Sequence, residues 1–224
     1  MNLFQCSVVI LLSFASVLIS ARIQIPAGYE VIAYREVSPH QADEYRKAWT
    51  LTYEPTASHG GNQLGEGVYM YADPDEMREP GREGCVIAGL SPAVERLRKA
   101  WVPMSYNTGG CDGDLGDGNI YLWQNLQDYE EKVQLINGYF MSVGFDADAR
   151  ETLLVSEYAG DTGTVQLCLP AAQLNDRPDR HGQMNLKVWC STNKDDVNLG
   201  KVEIMEWDNF EKSGQMPDMS DLAF

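Results

Sequence analysis

Three kinds of residue in the first third of the chain could together handle an anionic ligand that carries a flat ring. Arg35 lies in VIAYREVS, tyrosines stand at 69 and 71, and glycines at 60, 61, 65 and 67 precede those tyrosines in GGNQLGEGVYMYADPD. A guanidinium presents a planar fork of donors that matches a phosphate or a ribose edge. The same arginine on an edge strand could instead pair with one of the chain's many carboxylates. Glycines let a backbone take unusual dihedrals and approach another molecule closely. Tyr69 and Tyr71, two apart on an extended segment, point to one side of it. They suit either a stacked ring or a cross-strand core contact.

Other motifs fail their own chemistry. The loop CDGDLGDGN is rich in aspartate, but counted from Asp112 it has Gly116, Asp117 and Trp123 where an EF-hand needs a carboxylate, a glycine and a glutamate. It reads as a solvated turn, and no metal site is expected. SHGGN resembles the oxyanion segment of some hydrolases, yet the chain has no Gly-x-Ser-x-Gly elbow. His40, His59 and His181 are the histidines available as a general base.

The elements that must position these residues follow from patterning. GYEVIAYREVS alternates apolar and polar residues, which predicts a strand over 29–37. Ser38 caps a helix with Pro39 at its first position, and Ala42, Tyr45 and Trp49 form its apolar face. GVYMYAD and GCVIAGL read as strands. SPAVERLRKAWV reads as a second capped helix, and LWQNLQDYEEKVQLINGYF as a third helical region. LLVSEYA, TVQLCLP, MNLKVWC and KVEIMEW read as late strands, and the tail from Ser213 as frayed. Strands and helices alternate poorly, so the pattern is α+β.

Residues 1–21 carry no charge and are apolar from Val8 to Ile19, which reads as a secretory signal ending in Ser20–Ala21. The expected mature chain, 22–224, is a single secreted domain with no membrane attachment. Its Cys85, Cys111, Cys168 and Cys190 predict two disulfides of undetermined pairing. The net charge of −16 excludes a nucleic-acid binder and argues against anionic lipid.

AYREVSPHQADEY followed by GEGVYMYAD, residues 65–73, resembles the front half of the ADP-ribosyltransferase fold. Arginine-type toxins of that class open on a Tyr-Arg strand and a helix, and the poly(ADP-ribose) polymerases enter a later strand through a similar glycine–tyrosine segment. The resemblance covers about residues 29–90. It implies a split, mostly antiparallel sheet with flanking helices, and NAD as substrate with no further cofactor. Arg35 would contact the NAD phosphates or ribose. Tyr69 or Tyr71 would stack on nicotinamide, and Gly65 and Gly67 would admit the carboxamide.

The family's late-strand glutamate has no direct match. In TVQLCLP the corresponding position is Gln166, with Thr164 upstream. A glutamine keeps the hydrogen bond to a ribose hydroxyl but supplies neither negative charge nor a base. Glu157 in LLVSEY, or Glu203 and Glu206, are the other candidates. The resemblance therefore implies a secreted enzyme that cleaves NAD, by transfer to a protein acceptor or by hydrolysis, as an effector or toxin acting on host protein. The alternative is a catalytically degenerate interaction module on the same scaffold.

Overall fold

The computed structural model describes residues 22–54, 63–107, 119–124, 126, 128–159, 161–174, 184–207 and 210–211. The expected signal segment, the Asp-rich loop, Cys111 and the tail lie outside them. The described residues form one α+β domain, built on a large mixed sheet with few helices.

The first strand, β1 (Tyr29–Val37), runs where its alternation predicts and leads into helix α1 (Pro39–Ala48). Ser38 Oγ accepts the Gln41 N–H at 3.2 Å and Pro39 occupies the first turn. Ala42 and Tyr45 are fully buried, whereas Trp49 is 70% exposed. The helix ends before Trp49, which takes a left-handed φ of 56° and turns off the apolar face. Strands β2 (Gly67–Tyr71) and β3 (Glu83–Leu90) follow.

The predicted second helix is cut short. α2 (Ser91–Arg96) gives way to strand β4 (Arg98–Trp101), which runs parallel to β7 (Thr152–Tyr158). Tertiary pairing overrides helical patterning here. Lys99 is buried because its ammonium donates to the Val94 and Leu97 carbonyls at the end of α2. A small hairpin, β5 (Ser105–Asn107) and β6 (Asn119–Tyr121), precedes helix α3 (Tyr129–Ser142). That helix starts behind Asp128, whose carboxylate accepts the Glu130 N–H, so it is shorter than its predicted region.

Two late strands stand as predicted, β8 (Asp161–Pro170) and β9 (Lys187–Ser191). KVEIMEW does not. After the short helix α4 (Lys194–Val197) it forms a 3-10 turn, Ile204–Glu206, before the two-residue strand β10 (Phe210–Glu211). The Val202 N–H donates to the Ala72 carbonyl, and Val202 and Ile204 are buried, so the segment anchors without joining the sheet as a strand.

The sheet order is β10-β4-β7-β8-β2-β1-β3-β9, antiparallel except at β10–β4 and β4–β7. Its continuity is uneven. β1 and β3 pair from Tyr29↔Leu90 to Val37↔Glu83, and β2 and β8 pair along all of β2. Between β1 and β2 a single register pair, Tyr34↔Tyr71, joins the two halves. A seam therefore divides a three-stranded half (β1-β3-β9) from a five-stranded half. α1 and α4 pack on the first half, and α3 covers a separate apolar cluster containing Ala100, Leu154 and Cys168 of the second.

A candidate functional site at the sheet seam

Arg35 sits where the β1–β2 ladder stops. Its Nη1 donates to the Tyr69 carbonyl at 3.1 Å, giving that oxygen a donor beside the seam. Among the described residues its partner is thus a backbone carbonyl and not one of the chain's carboxylates.

The two tyrosines have different surroundings. The Tyr69 hydroxyl accepts the Leu64 N–H at 2.8 Å and donates to the Gly65 carbonyl at 2.9 Å. It buckles the glycine turn, in which Gly65 has a φ of +98°. Burial raises its hydroxyl well above the ordinary tyrosine range, and the neighbouring Cys168 adds to this. Tyr71 is half-buried, and its hydroxyl is raised first by burial and then by Tyr158 and the carboxylates of Glu36, Glu79 and Glu76. Gly67 serves the strand itself. A Cβ there would lie 2.5 Å from the Leu169 carbonyl and 2.7 Å from Cys168 Sγ, so the close approach is to β8.

Gln166 pairs directly with Tyr71 on one side and Ser156 on the other. Directly opposed residues in an antiparallel ladder share a face, so these three form one row across β2, β8 and β7. The row is tied together by neutral hydrogen bonds. Gln166 Nε2 donates to Ser156 Oγ at 3.1 Å and to the Glu157 carbonyl at 3.3 Å. Gln63 Nε2 donates to the same two acceptors at 3.2 and 2.8 Å, while Gln63 Oε1 accepts the Ala159 N–H. Ser156 Oγ donates onward to the Glu157 carbonyl at 3.0 Å. Glu157 thus joins the network through its backbone. It opposes Val165, a core residue, so its side chain alternates away from the row.

Ser156 and Gln63 of this network escaped sequence reasoning, and so did a carboxylate. Glu76, in the 3-10 turn Pro74–Glu76 after β2, accepts a hydrogen bond at Oε2 from Thr164 Oγ1 at 3.1 Å, and Arg78 pairs with its other oxygen at 3.2 Å. Thr164 and Gln166 are two apart on β8 and share a side. A carboxylate from elsewhere in the chain therefore stands beside the Thr-x-Gln segment. The signal was the acidic turn DPDE, where Asp73 caps and Pro74 starts the turn. What that turn reaches is a tertiary matter.

Cys168 lies beside Tyr69 as a free, fully buried thiol. This corrects the expectation of two disulfides among four cysteines. Burial pushes its thiol up to about 12, with the Tyr69 hydroxyl and the Arg35 charge opposing that shift. Cys85 and Cys190 form the disulfide, from directly paired positions on β3 and β9. A cavity of about 390 Å³ runs beside β1 under residues 199–207, lined by Val31, Tyr34 and Trp207 and by two of the alternative acidic candidates, Glu203 and Glu206; Arg35, Tyr69, Tyr71, Gln166 and Glu157 do not line it. No group of three or more metal-ligating side chains occurs among the described residues.

Residues 62–215 match the model of a family described as "Family of unknown function (DUF5910)". The chain belongs to that family. The matched region includes Gly67, Tyr69, Tyr71, Glu76, Glu157 and Gln166, and Arg35 falls before it. The family's description assigns no chemistry to the row, so its reading rests on geometry. No curated protein matches the chain.

Proposed function

We propose that this protein cleaves the nicotinamide–ribose bond of NAD on an ADP-ribosyltransferase-like scaffold. The carrying observation is the grouping of Tyr71, Gln166 and Ser156 in one cross-strand row, with the Glu76 carboxylate hydrogen-bonded to Thr164 and Arg35 at the adjoining seam. In this reading Arg35 holds the NAD diphosphate and Tyr71 takes the nicotinamide ring. Gln166 orients a ribose hydroxyl. Glu76 supplies the negative charge that Gln166 lacks and steadies the cation-like ribose, which is the kind of fixed electrostatic support that lowers such barriers most. Tyr69 shapes the glycine turn behind them.

Cleavage breaks the ribose C1′–nitrogen bond, and nicotinamide leaves with the electron pair. Water adds to C1′ and releases its proton, or a nucleophile on a host protein takes the place of water. The 1–21 segment directs secretion, and the Cys85–Cys190 bond is of the kind that an oxidising compartment forms. No helix among the described residues is long and apolar enough to cross a membrane.

The test is nicotinamide release from NAD by the oxidised chain 22–224, alongside Arg35→Ala, Gln166→Ala and Glu76→Gln. Release by the parent that falls at least about 100-fold in Glu76→Gln supports the reading. Absence of release and of labelled acceptor from the folded parent overturns it. A second reading, an interaction module without catalysis, is favoured by the full engagement of the Gln166 amide nitrogen and the Tyr69 hydroxyl within the protein. NAD binding without release would select it.

A further inference from the structure

A pair of cavities lies at the other end of β7 from Ser156, where Arg98 pairs with Thr152. The smaller, about 170 Å³, is bounded by Arg96, Arg98, Glu151 and Gln173, with Leu97 and Met184 as apolar wall. The larger, about 400 Å³, is bounded by Phe145, Phe210 and Glu211 and by the same two arginines. Arg96 and Arg98 therefore stand where the two spaces meet.

Among the described residues, most other cations have a partner: Arg22, Arg35, Lys99 and Lys132 donate to backbone carbonyls, and Lys187 lies over the Tyr29 ring. Arg46, Arg78, Arg82, Arg150, Lys47 and Lys194 are all ion-paired. Arg96 is exposed and makes no hydrogen bond or ion pair among the described residues. Arg98 is oriented from behind, since its guanidinium carbon lies 5.7 Å from the centre of the Phe145 ring and its Nη1 donates to the Asp146 carbonyl. Gln173 is only 6% exposed, and its Nε2 makes one long contact, 3.5 Å to the Glu151 carbonyl. A buried amide, an oriented guanidinium and an unpaired one thus line a space large enough for an anionic group and open to a second space with aromatic walls. In a chain of net charge −16, leaving an arginine unpaired beside an aromatic-walled cavity calls for an anionic occupant.

We propose that Arg96 and Arg98 bind the carboxylate of a small ligand whose apolar or aromatic body lies against Phe145 and Phe210. The opposing charges define the class. Glu151 and Glu211 each line one of the two spaces, and Glu95 is next to Arg96 in sequence. That field tolerates one negative charge between two guanidiniums and disfavours the double charge of a phosphate monoester. The planar fork of arginine matches a carboxylate bidentately, and the walls reward a ring. This inference is independent of the NAD reading, because no residue is shared between the two sites.

The experiment is titration of the oxidised chain 22–224 with 3-phenylpropionate, followed by calorimetry and by the fluorescence of its tryptophans. Inorganic phosphate and 3-phenylpropanol serve as comparison ligands. Saturable binding of the carboxylate is expected, weakened about tenfold or more in Arg96→Gln, with the alcohol and phosphate binding far more weakly. Arg96 is exposed and unpaired, so this variant folds as the parent does; an unchanged melting temperature checks that. Arg98→Lys keeps the charge and removes the fork, and is expected to weaken binding as well. No saturable binding of 3-phenylpropionate up to 10 mM (roughly the millimolar range below which binding contributes little) overturns the proposal. So does equal affinity in Arg96→Gln, or phosphate binding more tightly than the carboxylate.

Discussion

The two halves of the sheet share an apolar core but are tied by different further contacts. The three-stranded half is closed by bonds and charges: the Cys85–Cys190 disulfide, the Arg46–Glu83 pair from α1 to β3, and the Lys194–Glu36 pair from α4 to β1. Glu83 and Glu36 are nearly buried while their cationic partners reach the surface. Among the described residues, the five-stranded half carries no such latch at its centre. It relies on the α3 apolar cluster, the neutral Gln63–Ser156–Gln166 network, and the buried Lys132, whose ammonium donates to the Gln63, Leu122 and Gln124 carbonyls. The difference locates the candidate site. It lies at a seam bridged by one register pair, where the strand row is tied by neutral hydrogen bonds, with a cation on β1 and the Glu76 carboxylate beside it.

Breaking the covalent latch should have the largest effect. Replacing Cys85 and Cys190 by alanine removes a link closing 105 residues, which is expected to cost about 4 kcal/mol in chemical denaturation. A loss under about 1 kcal/mol would show that charge pairs and packing alone hold the three-stranded half. Next, Lys132→Met strips the donor from three backbone carbonyls and is expected to cost about 3 kcal/mol. An unchanged midpoint would remove Lys132 from the account of the five-stranded half.

Cys168 sharpens the comparison through pH. Its folded-state ionisation lies near 12 against an ordinary value of 9.0, so the folded form disfavours the thiolate. The stabilising contribution is complete below about pH 9 and is lost as pH rises toward 12, by about 2–3 kcal/mol at pH 11. Cys168→Val should flatten that decline, and thiol alkylation of the parent at pH 8 should be detectable only on unfolding. A thiol that reacts readily in the folded protein would contradict the burial of this half. The smallest expected effect belongs to the α1 cap. Ser38→Ala should cost about 1 kcal/mol in the melting transition, since one helix-end donor loses its acceptor.

Much of the fold was legible in the chain, for local reasons. β1 and α1 follow from an apolar run flanked by polar residues and from Ser38–Pro39, signals carried by neighbouring residues. The late strands at 152–158 and 161–170 were legible for the same reason. The helix reading of 98–101 failed because Lys99, Ala100 and Trp101 owe their burial to β7 and β10, distant in sequence. Trp49 left its predicted face because the helix stops one residue early.

At the site, residue chemistry named Arg35, Tyr69, Tyr71, Gly67, Gln166 and Glu157 and left their partners open. Glu76 was hidden because 88 residues separate it from Thr164. Tyr69 and Tyr71 look equivalent in sequence, yet one hydroxyl is spent on its own turn and the other faces acidic neighbours.

The sequence by itself determined the α+β class, the strand carrying Arg35 and the helix after it, and the strongly negative charge, because these depend on composition and short-range periodicity. Only the tertiary structure decided that Cys168 stays free, where the sheet divides, and which carboxylate stands beside Gln166. Those outcomes depend on register between strands far apart in the chain. Register is set by how whole faces pack together, and no single segment contains that information.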